Sequence, residues 1–129
     1  MYNIKSIEDK DFFKLLELNY ELHKLLPMQH SLSAATVCLC RELDVTNKLV
    51  IGLYYEDSLV GFINGYEYTK EIFWFSNIYV LPKHRYKVKN FLEYAEKEIV
   101  TMGYTSWLTH SLMKQGKNML TKFGAKELR

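Results

Sequence analysis

The spacing of apolar residues predicts two helices near the start of the chain. Residues 2–5 are typical of a short strand, and Ser6 to Asp9 resembles a capping sequence that opens a helix. This helix is predicted to end at Leu26, because Pro27 cannot continue it. A second helix is predicted over residues 33–43. The positions expected to face the core are Phe12, Leu15, Leu16, Leu22 and Leu26 in the first helix, and Ala34, Val37, Cys38 and Leu39 in the second.

After Asn47 the pattern changes to strands. Apolar runs over 49–55, 59–68 and 71–80 are separated by short polar turns, which predicts a meander of three successive antiparallel strands. The first run is apolar at nearly every position. We therefore expect its strand to be buried on both faces.

Beyond Pro82, the chain is predicted to cross back over the sheet through a helix. Apolar residues recur there at helical spacing until Gly103 ends the pattern. The expected inward positions are Val88, Phe91, Leu92, Ala95, Ile99 and Met102. Residues 104–110 indicate another strand, which a crossover of this length places parallel to the strand at 71–80. A final helix is predicted over 114–123, capped by the glycine that follows it.

Together these elements predict an α+β fold. Its mixed sheet contains the antiparallel meander and one parallel crossover, and helices flank the sheet. The chain has 129 residues, of which 48% are hydrophobic. This length is sufficient for one compact domain over residues 1–129 and too short for a second.

Charge and cysteine content narrow the cellular setting. The formal net charge of +2 is too small to favour bulk binding to nucleic acid, so any basic site must be local. No apolar run approaches the roughly 18 residues that a membrane span needs, and the polar N-terminus is unlike a signal peptide; we expect a cytoplasmic protein. Cys38 and Cys40 lie two apart in a predicted helix and point to nearly opposite sides, so we expect reduced, packed thiols.

A dense basic cluster marks the start of the helix that follows Pro82. It comprises Lys83, His84, Arg85, Lys87 and Lys89. A helix N-terminus already carries partial positive charge and unpaired N–H groups, so cations there are favourable when an anion such as phosphate sits among them. The alternative is a solvated, lysine-rich helix start, which costs only tenths of a kcal/mol. The cluster follows the carboxyl end of a predicted strand, where ligands of mixed sheets commonly bind.

The order of the elements and several of their residues resemble the GNAT superfamily of acyl-CoA-dependent N-acyltransferases. The resemblance covers nearly the whole chain. Its matching segments are Asp11 at the first helix, LVIGLYYEDSLVGFI at 49–63, NIYVLPKHR at 77–85 and LTKFGA at 120–125.

The resemblance implies a coenzyme site along one strand and the loop after it. In the superfamily, backbone of the fourth strand binds the pantetheine arm, and N–H groups of the following loop bind the pyrophosphate. The positions that match in this chain are Ile78, Tyr79, Val80, Arg85, Tyr86, Lys87, Val88, Lys89 and Asn90. The resemblance further implies acetyl-CoA as co-substrate and a small-molecule or protein amine as acceptor.

The chain departs from the superfamily pattern at several positions. The loop glycines that let backbone approach phosphate are replaced by Val88 and Asn90, whose side chains narrow that approach, whereas Arg85 matches. Leu120 stands where many members have a tyrosine that protonates the leaving thiolate, and leucine cannot donate a proton. The segment for a closing strand is also missing, which predicts an open sheet edge available to a second copy of the chain.

Several residues are candidates for acceptor chemistry. His110, at the end of the predicted parallel strand, is the best-placed base for deprotonating an amine, although a histidine there is also commonly a surface or capping residue. Glu67 and Glu71 flank a turn and are candidates for amine binding, although turn carboxylates are usually solvated. Tyr79 either lines an acceptor groove or packs in the core. The four histidines and two cysteines show no spacing that favours a metal site.

Two functions therefore stay open. The first is a GNAT-like N-acetyltransferase that transfers an acetyl group from acetyl-CoA to an amine. The second is a catalytically inactive GNAT-fold protein that acts in binding or assembly, of the kind found among bacteriophage components. Arg85 and the lysines favour the first, whereas Val88, Asn90 and Leu120 favour the second.

Overall fold

A computed structural model of the protein describes residues 1–27, 30–110 and 120–121. The strands are β1 (Tyr2–Ser6), β2 (Lys48–Tyr55), β3 (Ser58–Glu67), β4 (Ile72–Val80) and β5 (Ser106–Leu108), and the helices are α1 (Phe12–Lys24), α2 (Leu32–Leu43) and α3 (Val88–Thr101). Residues 120 and 121 are helical, and the rest of the predicted final helix lies outside the described residues. Within the described part, no helix is long and apolar enough to cross a bilayer.

The five strands form one mixed sheet in the order β1-β2-β3-β4-β5. Neighbouring strands from β1 to β4 are antiparallel, and β5 is parallel to β4 after the crossover through α3. The predicted α+β class, the meander and the parallel crossover are confirmed. The parallel strand is shorter than predicted, because only Ser106–Leu108 of the expected 104–110 pairs with β4.

Both faces of the sheet are covered, so β2 is buried on both sides as its apolar run predicts. The α3 face of the sheet holds Leu49, Ile51, Leu53, Val60, Ile63, Phe73, Phe75 and Val80, packed against Phe91, Leu92, Ala95 and Ile99 of α3 and against Tyr104. The opposite face holds Tyr54, Leu59, Phe62 and Tyr79, packed against Leu15, Leu18 and Leu22 of α1 and Leu39 of α2.

The first helix begins later than its capping sequence predicts. Ser6 belongs to β1 and lies opposite Ile51, and a single 3-10 turn over Asp9–Asp11 precedes α1. Asp11 makes no side-chain cap; its carboxylate accepts a hydrogen bond from the Tyr54 hydroxyl at 2.8 Å. Pairing with β2 thus places in a strand a residue that the local pattern assigns to the start of the helix. The helix begins instead at Phe12, which is exposed rather than facing the core.

The buried face of α2 is also different from the prediction. Ala35 and Leu39 are buried, whereas Ala34, Val37 and Cys38 are exposed. The helix begins one residue early, at an N-cap where the Ser31 hydroxyl accepts from the Ala34 N–H. Only a narrow stripe of α2 contacts α1, where the Asn19 side-chain amide donates to the Ala35 carbonyl at 3.0 Å.

The two cysteines are free and exposed. Their expected lack of a disulfide is confirmed, but the expected packing role is wrong, because the narrow contact stripe of α2 leaves both Cys38 and Cys40 outside it. Met102, predicted to face inward, is likewise exposed because α3 ends at Thr101. Tyr104 is buried in its place and donates a hydrogen bond from its hydroxyl to Glu67 at 2.8 Å.

One extra residue in β4 resets the alternation of its side chains. Asn64 of β3 lies opposite Asn77, and the next residue, Gly65, lies opposite Phe75, so Ser76 forms a β-bulge. Phe75 and Val80 both face α3, although alternation without the bulge would separate them. The strands approach closely here: a Cβ at position 65 would lie 2.2 Å from the Trp74 carbonyl oxygen, so only glycine fits.

A histidine pair links the end of α1 to the segment before α2. The Nδ1 atoms of His23 and His30 lie 2.8 Å apart, so one nitrogen donates a hydrogen and the other accepts it. His23 is buried, at 8% exposure. Two protonated rings would place two donors and two like charges together, so this geometry requires at least one neutral ring.

Stability should therefore decrease in mild acid. Burial, and secondarily the charge of His30, lower the pKa of His23 from its usual 6.5. Because the unfolded chain then binds the proton more readily, the contribution of His23 is complete above about pH 6.5 and is lost as the pH falls through the lower folded pKa. Thermal melts at a series of pH values should show this loss.

The variant His23→Gln should weaken that pH dependence, whereas the exposed His110→Gln should retain it. An unchanged pH dependence in the His23 variant would contradict the assignment of the effect to this pair.

Candidate functional site

The strands β4 and β5 part after three residues. β5 pairs only with Ile72, Phe73 and Trp74, and residues 75–80 of β4 have no strand on that side within the described part of the chain. The Thr109 hydroxyl donates to the Phe75 carbonyl at 2.8 Å, just where the strands separate. Such a fork beyond the paired ends of parallel strands is where ligands of mixed sheets bind. We call residues 75–80 with Thr109 the fork.

The basic segment after the fork forms a turn of 3-10 helix before α3 begins. This turn covers Pro82–Lys87. The His84 N–H donates to the Leu81 carbonyl at 2.9 Å, and the Val88 N–H donates to the Arg85 carbonyl. These two N–H groups are therefore engaged within the chain rather than directed to a ligand.

Arg85 and Lys87 contact aromatic rings. Arg85 Nε donates to the Val80 carbonyl at 2.9 Å, and the guanidinium carbon lies 5.7 Å from the centre of the Tyr79 ring. Lys87 Nζ lies 5.0 Å from the centre of the Tyr2 ring. The cation–π geometry gives both side chains a role in the fold that needs no ligand.

Tyr2 is the centre of an aromatic cluster with the loop. Its hydroxyl lies 2.7 Å from His84 Nδ1 and 2.7 Å from the Tyr86 hydroxyl, and its ring packs on Tyr55. Burial, followed by the hydrogen bond to Tyr86, raises the pKa of Tyr2 to about 12. The tyrosine therefore stays protonated near neutral pH and anchors the loop to β1.

The two other lysines of the loop are exposed. Lys83 and Lys89 form no hydrogen bond, ion pair or ring contact with residues 1–27, 30–110 or 120–121. Asn90 is exposed as well, whereas Val88, the first residue of α3, packs partly against the core. Among the loop side chains, Lys83 and Lys89 are thus the cations best able to meet an anion.

The strand part of the implied coenzyme site offers backbone rather than side chains. Tyr79 and Val80 are buried on opposite faces of the sheet, and Ile78 packs against the core on the α3 face. Tyr79 therefore packs beside α1 rather than lining an open groove.

The bulge brings together a polar cluster that the sequence pattern did not reveal. The Ser76 hydroxyl donates to Glu42 Oε2 at 2.8 Å, and Asn77 Nδ2 donates to the same oxygen at 3.1 Å. Asn77 Nδ2 also donates to Oδ1 of the buried Asn64 at 2.8 Å. We call Glu42, Asn64, Ser76 and Asn77 the bulge cluster. The only sequence signal for it was the presence of polar residues inside two apolar strands.

The bulge cluster also affects a neighbouring tyrosine. Burial, and secondarily the negative charge of Glu42, raise the pKa of Tyr66 above its usual value of 10.0. Tyr66 is therefore a neutral neighbour of the carboxylate near pH 7.

The other predicted acceptor residues lie elsewhere. His110 is exposed and stacks on Trp74, with ring centres 5.3 Å apart and planes at 18°. Glu67 accepts from Tyr104, and the Glu71 carbonyl accepts from the Thr105 N–H at 2.9 Å. Glu67 and Glu71 thus support the join between β4 and β5. His110 stays a candidate base, stacked on Trp74 two residues before the bulge.

A separate groove of about 490 Å³ lies along α1. It is lined by Phe13, Lys14, Leu16, Glu17, Leu18, Tyr20, Glu21, Leu32, Thr36 and Leu81. Leu81 follows β4 directly, so one end of the groove lies near the carboxyl end of that strand.

The protein is similar to known proteins in its fold but not detectably in its sequence. The sequence matches no protein-family profile and no curated protein. An aminoglycoside 6′-N-acetyltransferase from Acinetobacter haemolyticus is 19% identical, with a TM-score of 0.77 over 98% of this chain and 92% of that one. An aminoglycoside N-acetyltransferase solved with coenzyme A is 13% identical, with a TM-score of 0.79 over 100% of this chain and 90% of that one.

A third structure, the PaiA N-acetyltransferase from Thermoplasma acidophilum in complex with coenzyme A, is 18% identical, with a TM-score of 0.74 over 98% of this chain and 90% of that one. Each of these proteins is similar to this chain throughout its length. The protein has the fold of the GNAT acetyltransferases, and the resemblance drawn from its sequence is confirmed at the level of fold.

Arg85 and Lys89 should differ in their effects on stability. Arg85→Ala removes the hydrogen bond to Val80 and the contact with Tyr79, so the free energy of unfolding should fall by about 1 kcal/mol. Lys89→Ala removes no such contact in the described chain and should change it by less than about 0.5 kcal/mol. Urea unfolding of both variants measures the difference, and equal effects would contradict a structural role for Arg85.

Proposed function

We propose that this protein transfers an acetyl group from acetyl-CoA to an amine. The observation that carries the proposal is the fork, which leaves the edge of β4 without a strand partner in the described chain, directly before a basic loop. An extended pantetheine arm can pair with such an edge as an added strand does. The phosphates would then lie by the loop and the start of α3.

The similar structures support this choice of reaction class. Two of them are in complex with coenzyme A, and an aminoglycoside acetyltransferase from a soil metagenomic sample is in complex with sisomicin. By analogy with these proteins, the acceptor of this chain is a small-molecule amine.

Residues of this chain can be assigned to each part of the proposed reaction. Backbone of residues 78–80 would hold the pantetheine arm, and Lys83 and Lys89 would hold the phosphates. The amine nitrogen would attack the thioester carbonyl carbon, and the carbon–sulfur bond would break with its electron pair on sulfur. His110 is the proposed base for the amine proton.

A non-catalytic binding protein is the second candidate. Two observations favour it. Val88 packs partly against the core at a position where the superfamily has glycine. The 3-10 turn also uses the N–H groups of His84 and Val88 in hydrogen bonds within the chain. Both features reduce the backbone surface available to a pyrophosphate.

Calorimetric titration with acetyl-CoA distinguishes the two candidates. We expect saturable binding to the wild type, and at least about tenfold weaker binding with a flatter salt dependence when Lys83→Ala and Lys89→Ala are combined, since charge-assisted hydrogen bonds are lost. The charge-matched control, Lys70→Ala with Lys97→Ala, removes two exposed lysines outside the loop and should bind as the wild type does.

No saturable binding at millimolar acetyl-CoA would overturn the transferase proposal and favour the binding protein. In that case Val88→Gly with Asn90→Gly tests whether the loop alone is responsible, at a cost of about 1 kcal/mol of helix stability per glycine.

A further inference from the structure

We infer that Glu42 binds the ammonium group of the acceptor, at the point where the β4 bulge meets α2. This inference deepens the proposed function and rests on it. The α2 helix supplies the carboxylate, and Ser76 and Asn77 hold it in place.

The carboxylate is fixed by neutral donors. One hydroxyl and one amide reach it, and Asn77 is itself held by the acceptor oxygen of Asn64, which is 1% exposed. Both donors contact both carboxylate oxygens, but each supplies one hydrogen, since the Asn77 amide also donates to Asn64. A carboxylate has about four lone-pair sites, so two hydrogens leave room for a further donor. Its position is thus set before any ligand arrives, which reduces the entropy that a ligand must give up.

Glu42 forms no ion pair with the described residues. The ion pairs found there involve other carboxylates, and the nearby Lys48 donates its ammonium to the Leu43 carbonyl. Glu42 is only half-exposed, and partial burial strengthens its attraction for a positive charge relative to bulk water. A cationic donor is therefore the complementary ligand, and a primary ammonium supplies three N–H groups.

The location fits the reaction. Ser76 directly follows Phe75, whose carbonyl marks the opening of the fork. Ser76 and Asn77, the residues that hold Glu42, are themselves part of the fork, one and two residues beyond its opening. The acceptor would approach from the α2 side of the sheet, while the thioester would lie along the edge of β4.

Nuclear magnetic resonance of the full chain provides a direct test. The Asn77 side-chain amide donates to Glu42, so its 1H–15N signals should shift when an ammonium group binds the same carboxylate. We expect a saturable shift with propylammonium chloride, and none with 1-propanol of matched shape when sodium chloride equalises the ionic strength. Equal shifts with the amine and the alcohol would overturn the inference.

Two variants isolate the charge. Glu42→Gln keeps a hydrogen-bond acceptor but removes the charge, and propylammonium should bind it at least tenfold more weakly. Glu98→Gln is the matched control. Glu98 is a half-buried glutamate of α3 that accepts a hydrogen bond from a neutral tyrosine, Tyr94. Its replacement should leave propylammonium binding unchanged. Wild-type affinity in Glu42→Gln would overturn the inference.

A third variant distinguishes loss of the Glu42 charge from disruption of the bulge cluster. Ser76→Ala removes one donor but keeps the Glu42 charge, so propylammonium affinity should stay within about threefold of the wild type. A loss as large as that of Glu42→Gln would show that the intact cluster, rather than the charge, is what the amine needs, and would overturn the inference.

Acetyl-CoA titrations separate this inference from the proposed function. Glu42→Gln should bind acetyl-CoA within twofold of the wild type, since the residue serves the acceptor, and a larger loss would overturn its assignment to the acceptor. If the wild type binds propylammonium at Glu42 but no acetyl-CoA, the ammonium site stands and the acetyl transfer fails.

Discussion

The polar groups at the centre of the sheet face α2 because β4 has one residue more than the β3 segment opposite it. Alternation alone would direct Ser76 and Asn77 to opposite faces, and one of them would enter the apolar core beneath α3. The bulge turns both toward Glu42 and is possible because Gly65 lets the two backbones approach closely. The position of the candidate acceptor site thus depends on the close approach of two strands that a glycine allows.

In the basic loop after β4, the fold and the candidate coenzyme site use different cations. Arg85 and Lys87 are occupied by tyrosine rings and a backbone carbonyl, and Tyr2 ties the loop to the first strand of the sheet. Preorganisation of this kind fixes the loop before a ligand binds, but it leaves fewer free donors for phosphate. The exposed lysines at 83 and 89 then carry most of the loop's capacity to attract anions.

The sequence predicts the architecture better than the site. The bounds of β2, β3 and β4 lie within one residue of the apolar runs, because turns and strand alternation are local properties. The prediction of which face of α2 is buried was wrong. Val37 and Cys38 are as apolar as Leu39, and only the packing against α1 determines which of them is buried. The bulge cluster and the contact between Tyr2 and His84 join residues far apart in the chain, and a local pattern holds no information on such pairs.

The exposed thiols of α2 make this helix the place where thiol-specific reagents can be attached, since both cysteines of the sequence lie on it. Cys38 lies one turn before Glu42 and therefore shares its side of the helix, whereas Cys40 points away from it. With no other cysteine in the sequence, a single replacement leaves one labelling position. A fluorophore at position 38 would report from beside the carboxylate, and the same dye at position 40 would supply its internal reference on the same rigid element.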